Sequence, residues 1–168
     1  MNSLKVAIVL GSDSDLPVIE RTTQLLEEFG LAFDARVISA HRTPERAREF
    51  AMGAEDAGYG VIIAVAGGAA HLPGVIASMT PLPVIGVPVA TSVMGGMDSL
   101  LSIAQMPSGV PVATVGVGKA AGANAAILAA QVLSVADPRL RAVLKEYKKG
   151  LAERVAAKDA RVAEKLSK

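Results

Sequence analysis

The chain has no cysteine and no tryptophan, only three phenylalanines and two tyrosines, and no excess of charge of either sign. Without cysteine there are no thiol nucleophiles, thiolate metal centres or disulfide frameworks. Seventeen Lys and Arg against sixteen Asp and Glu leave a formal net charge of +1, which is not the balance of a polyanion binder. So few aromatic rings offer no platform on which bases could stack. No uninterrupted apolar run reaches the roughly 18 residues that a membrane span needs. The first such run, Val6 to Leu10, is also shorter than the ~7–15 residues of a secretion-signal core, and Gly-Ser-Asp-Ser-Asp follows it. The expectation is a soluble, cytoplasmic protein with neither nucleic acid nor membrane among its partners.

Hydrophobic residues make up 51% of the 168, broken into short pieces. A chain of this length forms one domain and buries about 70% of its unfolded surface without a metal or disulfide staple. Lys5–Leu10, Ala35–Ile38, Val61–Val65, Val84–Val87 and Val112–Val117 read as strands, nearly continuous in apolar residues. Such runs suit parallel strands covered on both faces. Between them the period lengthens. Ile19, Thr22, Leu26 and Phe29 repeat at helical spacing before a stop at Gly30. Ala47, Phe50, Ala51 and Ala54 repeat in the same way, with Thr43 placed as N-cap, Pro44 at the first helical position and Gly58 as the end. Alternating strands and helices in units of about 30 residues give right-handed crossovers and a three-layer, doubly wound α/β fold on a parallel five-stranded sheet.

Two stretches leave alternatives open. Residues 91–130 are rich in Gly, Ala, Ser and Met with little charge, which fits either core helices or a subunit interface. From Asp137 onward Leu140, Leu144, Tyr147, Leu151 and Val155 form one stripe of a long amphipathic helix. That stripe packs either on its own domain or on a neighbour.

In open α/β sheets ligands sit at the carboxyl ends of the strands, so the loops leaving the first three strands carry the candidate chemistry. They are Gly11-Ser12-Asp13-Ser14-Asp15, Ser39-Ala40-His41-Arg42-Thr43-Pro44, and Ala66-Gly67-Gly68-Ala69-Ala70-His71-Leu72-Pro73-Gly74. Both histidines of the protein fall in these short windows, on one edge of the sheet. In the first loop Gly11 permits a tight turn, the following helix offers N–H groups to an anion, and Ser12 and Ser14 add hydroxyls. Asp13 and Asp15 would repel a phosphate; they suit sugar hydroxyls, or Asp15 caps the helix. In the second, Arg42 is a forked, permanently charged donor for a phosphate monoester, assisted by Ser39, unless it pairs with Glu45 or Glu49. His41 can give and take protons near neutral pH, or can be a hydrogen-bonded structural group. In the third, Gly67, Gly68 and Ala69 let backbone approach a flat ring, and His71 assists catalysis or merely orients. Two isolated histidines without a matched carboxylate cluster make no metal site. No Gly-x-x-x-x-Gly-Lys-Ser/Thr loop and no Gly-x-Gly-x-x-Gly follows a strand, which argues against triphosphate and dinucleotide binding.

GSDSD, SAHRTP and AGGAAHLPG, in this order and spacing, resemble the 5-(carboxyamino)imidazole ribonucleotide mutases, catalytic subunits of the phosphoribosylaminoimidazole carboxylase family of purine biosynthesis. GVPV, DSLLSIAQMPSGVPVAT and GKAAGANAAILAAQ extend the likeness over roughly residues 4–135. The resemblance implies a flavodoxin-like domain, a homo-octamer with sites where subunits meet, and transfer of a carboxylate from the exocyclic nitrogen of an imidazole ribonucleotide to a ring carbon without metal, biotin or ATP. It places Ser12, Asp15 and Arg42 at substrate-binding positions with Ser14 and Ser39 nearby, His41 as the general acid/base and His71 as the second site histidine. The whole chain, 1–168, is then one catalytic domain, with an α/β core to residue 136 and a helical extension over 137–168. Val65 stands where Gly is common in that family and could narrow the pocket; Met94 stands where Leu is common. Two other readings stand beside it: direct carboxylation of aminoimidazole ribonucleotide by carbon dioxide, which the same residues would serve, and a phosphate- or nucleotide-binding module without turnover, which uses Ser12 and Arg42 but leaves the histidines idle.

Overall fold

A computed structural model describes residues 4–167. Met1–Ser3 and Lys168, which belong to the expected single domain and, at the amino end, to the segment assessed as a secretion signal, lie outside the described residues. Five parallel strands form one sheet in the order β2-β1-β3-β4-β5: β1 (Lys5–Leu10), β2 (Phe33–Val37), β3 (Tyr59–Ala66), β4 (Val84–Pro88) and β5 (Ala113–Thr114). The connecting helices are α1 (Leu16–Glu28), α2 (Pro44–Gly53), α3 (Leu72–Ala77), α4 (Met97–Ala104), α5 (Ala121–Ser134) and α6 (Pro138–Leu166). This is the flavodoxin-like, three-layer arrangement, with a long carboxy-terminal helix.

Period-two alternation of the strand side chains divides the core in two. Val6, Ile8 and Leu10 of β1 and Val61, Ile63 and Val65 of β3 pack with α1, α5 and the start of α6. Ala7 and Val9, with Ile62, Ala64 and Ala66, face α2, α3 and α4 on the other side. All eight residues of β3 are buried, which explains their unbroken apolar run.

Two glycines set the depth of helix packing. A Cβ on Gly122 of α5 would collide with the Val18 carbonyl and stand 2.7 Å from Thr22 Oγ1, so α5 lies directly on α1. Thr22 uses that closeness to donate a hydrogen bond to the Gly122 carbonyl at 2.9 Å. A Cβ on Gly86 of β4 would strike Ile103 of α4 and stand 2.9 Å from Val112 Cγ1. Ile103 is 1% exposed, so the helix fills the space left by the missing side chain.

Several boundaries differ from the sequence reading. The second strand starts at Phe33 and stops at Val37, one residue before Ile38; Ile38 N–H still donates to the Leu10 carbonyl. The fifth, expected over Val112–Val117, pairs with β4 only at Ala113 and Thr114. Pro111 has no N–H before it, and after Val115 donates to Gly86 the chain leaves through Gly116 and Gly118, the latter at φ +98°. The second helix ends at Gly53 rather than running to Gly58, and Gly58 makes its turn at φ +82°. Thr43 stands at the N-cap position of α2 but makes no cap with its side chain.

Helix α6 begins on a cap, Asp137 accepting hydrogen bonds from the Arg139 and Leu140 N–H groups. Leu140 and Leu144 are buried against α5, and Tyr147 meets Phe29 edge-on at 5.2 Å. From Leu151 to the end every described residue is exposed, Val155 by 64% and Leu166 by 80%. The stripe therefore packs on its own domain for its first turns and then leaves it. Among the described residues no helix is long and apolar enough to cross a membrane.

Candidate active site

The loops leaving β1, β2, β3 and β4 meet at one sheet edge around a cleft of about 420 Å³, within the usual size of a small-ligand site. Ser12, Ser14, Asp15, Ser39, His41, Arg42, Gly67 and His71, eight of the ten residues singled out from sequence, line it.

The first loop is fixed by its own side chains. Gly11 N–H donates to the Val65 carbonyl of the neighbouring strand at 3.0 Å. Ser12 caps the short turn Asp13–Asp15: its hydroxyl accepts from Ser14 N–H at 3.3 Å, while Asp15 Oδ2 accepts from Ser12 N–H at 3.2 Å. This reciprocal pair is a capping box. It commits Asp15, which is only 8% exposed, to a fixed direction at the cleft wall. Burial raises its carboxyl pKa, partly offset by the Ser12 N–H and the Ser14 hydroxyl, while the Asp13 charge raises it further. Asp15 also precedes α1 without capping it through its side chain. The start of α1 is a poorer anion site than its sequence suggests, because Leu16 N–H is taken by the Asp13 carbonyl and Pro17 has none.

The second loop closes on itself. Thr43 Oγ1 donates to the Ser39 carbonyl at 2.9 Å and accepts from Ser39 N–H at 3.2 Å, so its hydroxyl braces the loop. Arg42 N–H donates to Ser39 Oγ at 3.3 Å. That frame turns His41 and Arg42 to the same cleft. Arg42 forms no ion pair with Glu45 or Glu49, so its guanidinium keeps its donors for an anion.

The third loop brings the second imidazole to the first. His41 Nε2 and His71 Nδ1 are 2.8 Å apart, with the rings edge to face and centroids 4.9 Å apart. One ring offers N–H and the other a lone pair, so the two tautomers are coupled. Gly67 abuts the loop after β4, where a Cβ on it would stand 3.1 Å from Val89 Cβ. Gly68 and Ala69 do not line the cleft. Gly68 N–H donates to Ser99 Oγ at 2.9 Å and the Ala69 carbonyl accepts from Ser102 Oγ, so both are held by α4. Val65 does not narrow the cleft either, since its side chain is wholly buried in the sheet core. Met94 is 80% exposed at φ +47°.

Val89 and Thr91, which line the cleft behind β4, were missed by a reading confined to the first three strands. The same rule about carboxyl ends of strands would have found them. Thr91 Oγ1 donates to Asp98 Oδ1 at 2.7 Å, and that bond, first among its causes, lowers the Asp98 carboxyl pKa. Among the described residues no group of three or more His, Asp or Glu side chains could hold a metal ion.

The model of one protein family, AIR carboxylase, matches residues 5–154. The chain belongs to the AIR carboxylase family. Within it, the N5-carboxyaminoimidazole ribonucleotide mutase of Pyrococcus horikoshii is 54% identical over 159 residues, covering 95% of this chain and 89% of the relative. The protein of the same name from Mycobacterium tuberculosis is 53% identical over 167 residues, covering 98% and 95%. In three dimensions the crystal structure of Treponema denticola PurE superposes with a TM-score of 0.83 at 29% identity, covering 93% of this chain and 96% of that one.

Proposed function

We propose that the protein is an N5-carboxyaminoimidazole ribonucleotide mutase, an isomerase that moves a carboxylate from the exocyclic nitrogen of its substrate to a ring carbon in purine biosynthesis. The observation that carries the reading is the pair of imidazoles 2.8 Å apart in one cleft with a guanidinium that has no carboxylate partner among the described residues. Arg42 and the hydroxyls of Ser12, Ser14 and Ser39 suit the phosphate end of a ribonucleotide. Asp15, fixed by its capping box, suits a sugar hydroxyl as acceptor. The cleft wall near His41 is small and apolar at Ala40, Ala66 and Ala70, which leaves room for a flat ring.

The chemistry balances on one proton. His41 gives a proton to the exocyclic nitrogen as the nitrogen–carboxylate bond breaks, and carbon dioxide is released beside the ring. The enamine-like ring carbon attacks it, forming the carbon–carbon bond. The proton on that carbon then returns to His41. General acid–base transfer of this kind contributes roughly 10²–10⁴-fold. Keeping the released gas beside the ring, under the bound substrate in the cleft, contributes through high effective molarity. His71, bonded to His41, fixes the imidazole's orientation and tautomer.

We further infer that the whole chain is one catalytic domain that assembles as a homo-octamer in the cytoplasm. The supporting observations are exposed apolar side chains at Val93, Met94, Met97 and Leu101 and on the free half of α6. The test of the activity is turnover by purified protein supplied with the carboxyamino substrate and no ATP. Conversion is expected in the wild type, and in His41→Asn a loss of about 10³-fold or more with ribonucleotide binding retained. Turnover of aminoimidazole ribonucleotide plus bicarbonate, with none of the carboxyamino compound, would establish direct carboxylation instead. Binding without any turnover would leave only a ligand-binding module.

A further inference from the structure

Ser99 lies in α4, away from the cleft lining, and is 0% exposed. Its hydroxyl donates to the Val89 carbonyl at 2.8 Å and accepts from Gly68 N–H at 2.9 Å. One buried oxygen therefore ties the loop after β3 to the loop after β4. Three residues further along the same helix, Ser102 Oγ donates to the Ala69 carbonyl. The two hydroxyls hold an N–H and a carbonyl on either side of the Gly68-Ala69 unit. The next residue, Ala70, sits at φ +37°, a conformation that costs a non-glycine residue on the order of 1–3 kcal/mol and persists only where its surroundings enforce it. His71 follows directly, at the start of α3, and its Nδ1 meets His41.

We propose that Ser99 is a positioning residue for the histidine pair, with Ser102 as its second point of support. The chain of contact runs from α4 through Gly68 and Ala69 to the strained Ala70, to His71, and so to the proton-transferring ring of His41. A hydroxyl suits the task because it accepts and donates at once, and both of its bonds run to backbone groups that no side-chain rotation can withdraw. The residues facing the phosphate and sugar, Ser12, Ser39 and Arg42, stand on loops that Ser99 does not touch. Ser99 therefore acts on the placement of the acid/base group and leaves the phosphate and sugar contacts alone.

The inference rests on the mutase reading, and the assay separates the two. Wild type, Ser99→Ala, Ser102→Ala and Ser99→Cys are compared for kcat, KM and the pH profile of kcat. A displacement near 1 Å in a supporting shell can cost up to about 10²-fold. Ser99→Ala is expected to lose about 10- to 100-fold in kcat with KM within about threefold, and to change the pH profile, because the His41–His71 bond loosens. Ser102 is only part-buried, so its alanine variant folds and shows a smaller loss of the same kind; it decides the matter if Ser99→Ala does not fold. Ser99→Cys, which keeps a weak donor and acceptor, recovers part of the loss. Variants with wild-type kcat and pH profile and only a lowered melting temperature would reduce both hydroxyls to fold stabilisers, as would KM rising in step with kcat falling. An inactive wild type would instead sink the mutase reading.

Discussion

Replacing Arg42 by Ala tests the binding half of the site in isolation. The guanidinium lies on the cleft with its backbone N–H fixed to Ser39 Oγ and its side chain free of Glu45 and Glu49. Its removal strands no carboxylate and opens no core cavity, so folding stability should change by no more than about 0.5 kcal/mol. The lost interaction is with the ligand. A forked guanidinium makes two hydrogen bonds to a phosphate, each worth roughly 1.5–3 kcal/mol. The cleft is open to water, so the lower end applies, about 3 kcal/mol in all, which is roughly 10²-fold in Kd. Titration calorimetry with the ribonucleotide should show that loss, whereas the dephosphorylated nucleoside should bind the variant and the wild type alike. Arg42→Lys should recover only part, because an ammonium is a point charge without the fork. Equal weakening of nucleotide and nucleoside, or an unchanged Kd for both, would show that Arg42 does not meet the phosphate.

Two further outcomes follow from the same structure. Burial raises the Asp15 carboxyl pKa, so the folded protein holds that proton more tightly than the unfolded chain does. This contribution favours folding at low pH and is lost as pH rises from the unfolded value through the folded one. Asp15→Asn should accordingly unfold at higher urea than wild type at pH 7, a gap that closes as the buffer is acidified, while KM for the ribonucleotide rises; a variant less stable at pH 7 would refute the assignment. Light scattering at micromolar concentration should return eight times the 17.2 kDa chain mass, and a monomer would reject the octamer.

The fold was readable because its strands announce themselves in two ways. Val6–Leu10 of β1 and Val61–Ala66 of β3 are unbroken apolar runs, as burial on both faces requires, and Gly30 and Gly58 mark turns at positive φ. What escaped lay at the edges. β5 has only one neighbour, so a six-residue apolar pattern yielded two paired residues once Pro111 and Gly116 bounded it. In the site, placing both histidines after parallel strands was enough to bring them to one rim. Their direct contact comes with a left-handed backbone at Ala70, the residue before His71, which no propensity at that position indicates. For the same reason Gly68 and Ala69, read as open backbone for a ligand, are engaged by α4. The apolar spacing of α6 reads alike along its length, although only its first turns have a floor beneath them.

Gly86 has no chemistry of its own and sits midway along β4, one strand in from the sheet's edge. Because nothing projects from it, Ile103 can settle where a methyl group would otherwise be, and the helix bearing Ser99 rides that much lower. The reach of two hydroxyls to the Gly68-Ala69 backbone is thereby inherited from an empty place on a strand. In this protein the seat of the helix that holds the Gly68-Ala69 unit begins with an atom that was left out.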